Sequence, residues 1–272
     1  MENNDLYGTQ ITLLVGDAGS GKTWYGLNHP EREKAFYLDL EHRYQETLKF
    51  HPEIRLPEFM LKDIAWGAGL GGRWKSDNAK SNVPGTWVET KWQTCAMERV
   101  IPGTYTNALI YTKDNDIDHI KTWDNVDKLL SRAIKTGVKL IVIDGIQDLR
   151  RMATDKYEIE SGKTAYGQQA WSKINSMVKQ LLYRAFNFAR INNIQVLITT
   201  HYAPEFTDQG ERTGKVYVDA KDYIVDRVDE VLGFKRDGMT FTIRRGKSPK
   251  GPCEPFEWGP IKKEEEGEAS EQ

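Results

Sequence analysis

The stretch ITLLVGDAGSGKT, residues 11–23, decides the fold of this chain. Its first five residues form a short apolar run that predicts a buried strand. The next eight fit G-x-x-x-x-G-K-[ST] at every fixed position, and they are Gly16, Asp17, Ala18, Gly19, Ser20, Gly21, Lys22 and Thr23. Such a loop turns backbone N–H groups toward phosphate oxygens, while Lys22 reaches the β- and γ-phosphates and Thr23 offers a hydroxyl to Mg²⁺. We therefore expect a strand, a phosphate-binding loop and a helix beginning near Gly21.

Length and composition describe a globular protein of one large domain or a domain and a half. The chain has 272 residues, and its 39% hydrophobic and 11% aromatic content is enough for a substantial core. Cys95 and Cys253 make neither a disulfide framework nor a metal quartet, which fits a reducing cytoplasm. No apolar run approaches membrane-spanning length, so we expect a cytoplasmic protein without a membrane partner. The net charge of −2 neither supports nor excludes nucleic acid as a partner.

Three further apolar runs predict strands of the same sheet, and each leads to a polar side chain. Residues 35–40 (AFYLDL) lead to Glu41, residues 139–144 end in Asp144, and residues 195–200 (QVLITT) lead to His201. The carboxyl ends of parallel strands meet at the edge where open α/β sheets bind ligands. There Asp144 is placed to hold Mg²⁺ through water, and His201 to contact a γ-phosphate. Glu41 is placed to orient and deprotonate the attacking water, with a solvated acidic loop as the alternative.

Two helices, one more strand and one irregular insertion are predicted outside these runs. Apolar residues at helical spacing indicate helices over residues 123–135 and 171–189, and ALIYT at 108–112 indicates a strand. An insertion at about 51–110 is rich in Trp and Gly. We interpret it as an elaborated loop region that packs its own tryptophans, with base stacking beside Lys and Arg as the alternative. Those tryptophans are Trp66, Trp74, Trp87 and Trp92.

Basic residues are frequent in three segments outside the motif. Residues 148–169 and 202–222 are predicted as two long loops at one sheet edge, and their charge suits contact with single-stranded nucleic acid. Mobile solvated loops are the alternative. A predicted hairpin over residues 230–235 and 239–245 leads to a cluster that suits phosphate backbone or a neighbouring subunit's ATP site. The candidate residues are Arg150, Arg151, Lys163, Arg212, Lys215, Arg244, Arg245 and Lys247.

The order of these motifs resembles the ATPase core of the RecA-like recombinases. After the phosphate loop come FYLDLEHRY at 36–44, LIVIDG at 140–145 and VLITTH at 196–201. The resemblance implies that Glu41 is the catalytic glutamate and Asp144 the Walker B aspartate. It places the family's γ-phosphate sensor, usually a glutamine, at about His201. It also implies two DNA-binding loops, one after Asp144 and one after His201.

A closer likeness is to short phage and archaeal-virus nucleotide-binding proteins that consist of this core alone. The spacing from GKTWYGLNHP to YLDLE and the basic hairpin carry it, over residues 11–50 and 122–250. Members of that group are similar to single-strand-annealing recombinases. The likeness implies a viral protein in the host cytoplasm, with a single-strand-binding protein or another replication protein as partner.

We therefore expect an α/β fold over residues 1–261: a RecA-like P-loop NTPase core with a mainly parallel central sheet, a C-terminal β-hairpin and the irregular insertion. A disordered acidic tail, 262–272, follows. The expected function is a homo-oligomeric ATPase, using ATP and Mg²⁺, that couples hydrolysis to single-stranded DNA in recombination, annealing or replication. Its catalytic residues would be Lys22, Glu41, Asp144 and His201, with Thr23 and Asp144 at the metal. A ring-forming DNA motor (packaging ATPase or helicase) and a slow nucleotide-gated switch are the alternatives.

Overall fold

The computed structural model describes residues 7–58, 102–134, 136–207, 209–220, 222–238, 240–248 and 256–257. The four tryptophans of the predicted insertion and the predicted acidic tail lie outside the described residues, so both expectations stay predictions. In the described part of the chain, no helix has the length and apolar character needed to cross a membrane.

Strands and helices alternate along the first two thirds of the chain. Over the described residues the strands are β1 (Ile11–Gly16), β2 (Ala35–Asp39), β3 (Thr104–Asn107), β4 (Leu140–Asp144), β5 (Gln195–Thr200), β6 (Tyr202–Phe206), β7 (Arg212–Val218), β8 (Glu230–Asp237), β9 (Thr240–Lys247) and β10 (Phe256–Glu257). The helices are α1 (Lys22–Leu27), α2 (Tyr44–Phe50), α3 (His119–Ala133), α4 (Ile146–Ser161), α5 (Gly167–Asn192) and α6 (Asp222–Val225), with short 3₁₀ turns at Arg32–Lys34 and Pro52–Ile54.

The central sheet is mainly parallel, as predicted. Among the described residues it has eight strands in the order β10-β9-β8-β1-β5-β4-β2-β3, and β6 and β7 form a separate hairpin. The strands from β8 to β3 run parallel to one another, whereas β9 and β10 are antiparallel additions at one edge. Strand β5 lies between β1, which leads into the phosphate loop, and β4, which ends in Asp144. This is the arrangement of a RecA-like core, so the predicted fold class is confirmed.

The core strands are mostly apolar because helices cover both faces of the sheet. Strands β1, β2 and β4 are buried at every position. One face packs against α3, α4 and α5 through residues such as Val126, Leu149 and Ile174. The other face packs against α1 and α2, where Tyr25 and Leu48 are buried. This double cover holds the carboxyl ends of the strands in fixed register, and the polar residues that follow them meet at one edge.

The predicted loop at 148–169 is wrong, because most of this segment is helical. Helix α4 runs from Ile146 to Ser161, and α5 begins at Gly167. Ile146, Leu149 and Met152 recur at helical spacing and are buried, while charged residues occupy the solvent side. The many charged residues on the solvent side of the helix give the segment a composition that resembles that of a loop.

The second predicted loop, 202–222, is also wrong in its larger part. Strands β6 and β7 pair in antiparallel fashion from Tyr202 opposite Val218 to Phe206 opposite Arg212. The hairpin turns at Thr207, whose backbone N–H donates to Glu211 at 2.8 Å. The basic residues of this segment therefore lie on a hairpin rather than on an irregular loop.

The strand predicted at 108–112 is displaced by several residues. Strand β3 is Thr104–Asn107, which pairs in parallel with β2, and residues 108–110 have no regular structure. The Ala108 backbone N–H donates to the Asp39 carbonyl oxygen at 3.2 Å, which ends the pairing of β3. The hairpin predicted at 230–235 and 239–245 is confirmed as β8 and β9.

Candidate active site

The phosphate loop leaves β1 at Gly16 and enters α1 at Lys22. A turn closes between Asp17 and Ser20, where the Ser20 N–H donates to the Asp17 carbonyl at 3.2 Å. Gly21 has φ of 95°, a left-handed conformation that favours glycine over any residue with a Cβ. The loop lines a cavity of about 580 Å³ at the carboxyl edge of the sheet. The predicted strand, loop and helix are confirmed.

Lys22 lies inside this loop and is only 6% exposed. Its Nζ donates to the Gly16 carbonyl oxygen at 2.6 Å and to the Asp17 carbonyl oxygen at 3.0 Å. Burial lowers the pKa of Lys22, while Glu41 and Asp144 act in the opposite direction. The structure thus holds an ammonium group across the mouth of the loop with two neutral acceptors that an anionic ligand can replace.

Asp144 is buried at the end of β4 and accepts three side-chain hydrogen bonds. Thr23 Oγ1 donates to its Oδ2 at 2.9 Å, Tyr37 donates to the same oxygen, and Thr199 Oγ1 donates to Oδ1 at 2.6 Å. Burial raises the pKa of Asp144, and the bonds from Thr199 and Tyr37 offset part of that rise. The predicted partners Thr23 and Asp144 therefore meet, 121 positions apart in sequence.

Glu41 and His201 also meet at this edge. His201 Nε2 lies 3.0 Å from Glu41 Oε1, and the Gln147 side-chain amide donates to the same oxygen. Arg43 Nε is 4.0 Å from the other carboxylate oxygen. His201 Nδ1 lies 3.0 Å from the Gly16 carbonyl oxygen, which joins the group directly to the phosphate loop. The four predicted catalytic side chains thus share one site.

Both ring nitrogens of His201 face atoms that accept hydrogen bonds: a backbone carbonyl on one side and a carboxylate on the other. An imidazole that donates from both nitrogens is doubly protonated. The hydrogen bond with Glu41 raises the pKa of His201, against the effects of burial and of Lys22. Burial raises the pKa of Glu41, but His201, Lys22 and Gln147 together bring it below its ordinary value. Both shifts therefore favour an ion pair between a protonated His201 and an ionised Glu41.

Asp39 fixes the turn that carries Glu41 into the site. Its Oδ1 accepts from the backbone N–H groups of Glu41 (3.1 Å) and Arg43 (3.2 Å), and its Oδ2 accepts from the Tyr44 N–H at 3.1 Å. The Tyr105 hydroxyl donates to Oδ2 at 3.3 Å. Burial, with the charge of Asp144, raises the pKa of Asp39 to about 6. The carboxylate therefore acts as a local scaffold, a role that the sequence pattern did not indicate.

The ion pair predicts a pH-dependent contribution of His201 to stability. The native pKa of His201 is raised, so its contribution is complete below the unfolded value of about 6.5 and is lost as pH rises through the native pKa. The lowered pKa of Glu41 limits the effect only in acid. We expect His201→Gln to cost more unfolding free energy near pH 6 than near pH 9, as measured by urea denaturation.

A cost that is equal at both pH values, or larger at the higher one, would contradict the ion pair. Lys22 and Asp148 are the other charged groups facing His201, and both are present in the parent and the variant. The difference between the two proteins therefore isolates the His201 contribution.

An aromatic wall of the cavity was missed by the sequence analysis. It includes Trp24, whose ring centroid is 5.8 Å from that of His51, and Phe50, which is 80% exposed. On the opposite side Arg236 stacks on Phe241 at 5.3 Å. The helical segment after β2 and the hairpin after β8 bring these residues beside the loop. Gly16 pairs in parallel with Phe234, which lies two residues before Arg236. Recognising β8 as the neighbour of β1 would therefore have placed Arg236 beside the phosphate loop.

The basic cluster at the end of the β8–β9 hairpin is partly structural. Arg245 is 7% exposed, and its Nε is 2.8 Å from Glu230 Oε1, so the predicted use of Arg245 in a neighbouring ATP site is wrong. Lys247 Nζ donates to the carbonyl oxygens of Val225 (2.9 Å) and Asp226 (3.2 Å), which ties it to the end of α6. Arg244 is exposed on β9 and stays a candidate.

The other basic candidates lie on three elements. Arg150 and Arg151 lie on α4 and line a second cavity, separate from the phosphate loop. Lys163 lies in the turn between α4 and α5, and Arg212 and Lys215 are exposed on β7. Their contact with nucleic acid stays a prediction.

Comparison with known proteins adds a distant likeness in structure. No protein-family model matches the chain, and no curated protein matches it in sequence. A solved structure of a KaiC-like protein from the hyperthermophilic archaeon Pyrococcus horikoshii OT3 aligns with 92% of this chain and 85% of its own, at 12% identity and a TM-score of 0.40. A likeness of this size shows nothing about activity.

Proposed function

We propose that this protein is a Mg²⁺-dependent ATPase. The observation that carries the proposal is that a complete phosphate loop, Lys22, the Thr23–Asp144 pair and the Glu41–His201 pair surround one edge of one sheet. Each group has the chemistry that phosphoryl transfer to water needs: a phosphate cradle, a cation, a metal-binding oxygen pair and a base. The adjoining aromatic wall offers flat surfaces for a nucleotide base.

The oxygen pair of Thr23 and Asp144 fits Mg²⁺. This ion takes few protein ligands and completes its octahedron with water and phosphate oxygens. Within the described residues no cluster of three His, Cys, Asp or Glu side chains could hold a metal by itself. Bound there, Mg²⁺ would neutralise charge on the phosphate oxygens.

The chain's own residues have distinct tasks in this proposal. Lys22 exchanges its two carbonyl acceptors for phosphate oxygens, which restores a full charge partner to a buried ammonium group. His201 lies between the Gly16 carbonyl and Glu41, so a terminal phosphate in the loop competes for its proton-bearing nitrogens. Once His201 turns to the phosphate, Glu41 is free to accept a proton from the attacking water.

Gly145 is the residue most sensitive to added volume near Glu41. It has φ of 101°, and a Cβ built there would overlap the Glu41 side chain. We expect Gly145→Ala to displace Glu41 and to lower ATP turnover by about 100-fold, the scale of a misplaced catalytic group. Steady-state turnover measures this.

Gly137→Ala is the matched control, because Gly137 also has a left-handed φ, of 75°, with nothing within 4 Å of the added Cβ. Equal losses in the two variants would point to backbone strain alone and against a displaced Glu41.

We further propose that hydrolysis is coupled to single-stranded DNA in recombination, annealing or replication. Support comes from the resemblance to RecA-like recombinases and from exposed cations on β7 and α4. The likeness to short phage and archaeal-virus proteins adds a viral setting, a homo-oligomer and a replication partner to this proposal. The test is ATP turnover without polymer and with single-stranded DNA, duplex DNA and RNA. Selective stimulation by single-stranded DNA supports the proposal, and stimulation by duplex alone contradicts it.

The β7 cations give this coupling a quantitative test. Neutralising two phosphate contacts on a single strand should flatten the slope of log affinity against log salt by about 1.4. We expect this of Arg212→Gln combined with Lys215→Gln, measured by fluorescence anisotropy of a labelled oligonucleotide. Lys128→Gln with Lys139→Gln is the control, because both lysines are exposed and Lys139 precedes β4 at the opposite sheet edge. An unchanged slope in the β7 variant would exclude this surface.

A slow nucleotide-gated switch is the second candidate, and one observation favours it. Glu41 is held by both His201 and Gln147, so its release limits the rate of hydrolysis. A switch would keep its activity in the cell after Glu41→Gln, whereas an ATP-driven process would lose it.

A ring-forming motor would need a cation from a neighbouring subunit, and Arg244 is the remaining candidate on the hairpin.

A further inference from the structure

A second cavity of about 740 Å³ lies on the other side of Gln147 from the phosphate loop. Helix α4, the N-terminal half of α5 and residues 217–220 and 224–226 line it. Its walls combine cations, aromatic rings and acceptors, and the residues that matter here are Gln147, Arg150, Arg151, Trp171, Tyr217 and Asp226. Its volume is in the range of cavities that hold a small organic ligand.

Arg150 is the first reason to expect a ligand. Its guanidinium carbon lies 4.9 Å from the ring centroid of Trp171. Its Nε is buried, and no atom of the described residues accepts a hydrogen bond from it. A buried donor without a partner is costly, and a stacked guanidinium fork matches the oxygens of a phosphate or carboxylate. Arg151 adds a second positive charge at the same wall.

Gln147 is the second reason, because the side-chain amide that holds Glu41 also carries an oxygen without a hydrogen-bond partner among the described residues. Its nitrogen donates to Glu41, while its Oε1 is buried without a donor among the described residues. The residue lines the cavity. A ligand group that donates to Oε1 would pull on the same amide that holds Glu41.

We propose that this cavity is an effector site for a nucleotide with a single phosphate, and that Gln147 transmits its occupancy to Glu41. The phosphate binds Arg150 and Arg151, and the base packs on Trp171 and Tyr217. Asp219 and Asp226 also line the cavity. Their negative charge disfavours a diphosphate or triphosphate, and their carboxylate oxygens can accept from a base N–H group. The nucleotide is either free or one unit of a single strand. Transmission to Glu41 rests on the proposed ATPase function, whereas binding does not.

Binding is tested in the Lys22→Ala background, so that the phosphate loop does not contribute. Titration calorimetry with dTMP, an oligothymidylate and inorganic phosphate separates the sources. Saturable dTMP binding indicates a free-nucleotide site, and oligothymidylate binding with weak dTMP binding indicates a polymer unit. We expect Arg150→Gln to weaken either at least tenfold and Arg150→Lys to weaken it less, because lysine keeps the charge but loses the fork.

Two further variants allow ligand binding at the cavity to be tested even if Arg150→Gln does not fold. Tyr217→Ser removes an exposed ring at the cavity mouth and is expected to weaken binding several-fold. Lys179→Gln, on α5 beside Tyr183, is the control that leaves binding unchanged. Binding that is insensitive to both cavity variants, or no binding of any of the three probes at millimolar concentration, would overturn the proposal.

Transmission is tested with Lys22 intact. The bound nucleotide is expected to change ATP turnover at least threefold. Gln147→Leu loses one contact with the ligand, so we expect it to bind the nucleotide more weakly and to show no change in turnover when saturated with it. A nucleotide effect that persists in Gln147→Leu would overturn the assigned route. If the nucleotide binds at the cavity but the protein hydrolyses no ATP under any condition, the effector site stands and the proposed function fails.

Discussion

Lys22→Ala is expected to abolish productive nucleotide binding. In the parent, a nucleotide at 100 times its dissociation constant adds about 2.7 kcal/mol to the unfolding free energy, or roughly 5–10 °C in melting temperature. The variant should show none of this, because the ammonium group that donates to the Gly16 and Asp17 carbonyl oxygens is lost. Thermal melting with and without ATP and Mg²⁺ measures the difference.

The unliganded variant should remain folded. Burial already lowers the pKa of Lys22, so removing the ammonium group also removes a desolvation cost. Lys34→Ala is the control, because Lys34 lies on an exposed 3₁₀ turn with only a surface ion pair to Glu31. A melting shift in Lys22→Ala equal to that of the parent would refute the phosphate-loop assignment.

Glu41→Gln should separate hydrolysis from binding. Loss of a positioned general base costs about 100- to 10,000-fold in rate. The amide keeps the size of the carboxylate and can still accept from Gln147 or His201, so nucleotide affinity should change little. Phosphate release under saturating ATP gives the rate, and the melting shift gives binding.

The companion variant His201→Gln distinguishes two roles for the histidine. If His201 only restrains Glu41, its loss should raise turnover; if it also binds the terminal phosphate, turnover should fall. Glu41→Gln with unaltered turnover would instead make Glu41 a structural residue, and the neighbouring Asp148, whose pKa burial raises to about 6, would become the base to test.

The central strands and the four catalytic candidates were predictable because each depends on local sequence. Continuous apolar runs give buried parallel strands, and topology then requires the residues after Asp39, Asp144 and Thr200 to share an edge. No contact had to be known in advance. Arg236 could be predicted in the same way once β8 is recognised as a neighbour of β1. It lies two residues after Phe234, which pairs with Gly16, and so it reaches the same sheet edge.

The errors arose where tertiary contacts decide the outcome. In α4 the buried face is narrow, and charged residues dominate the composition, so its helical spacing was overlooked. In β9 the alternation of side chains places Ile243 and Arg245 on the buried face and Arg244 outside. By composition alone Arg244 and Arg245 are equivalent. The structure distinguishes them, because Arg245 is buried against Glu230, about 15 residues earlier in the chain.

Gln147 and Asp39 could not be found from sequence at all. Their importance comes from single contacts, an amide donating to Glu41 and a carboxylate accepting from the turn that follows β2. Neither contact corresponds to a recognisable spacing of residues in the sequence. The second cavity does not either, because α4, α5 and residues 217–220 and 224–226 are far apart in the chain.

The most direct test of the account is phosphate release from ATP by the parent protein and by Lys22→Ala, each with Mg²⁺ and with the metal chelated. The account predicts release by the parent only when Mg²⁺ is present and none above background by Lys22→Ala. Equal release by the two proteins, or tight ATP binding without any release by the parent with or without polynucleotide, would contradict an ATPase centred on this loop.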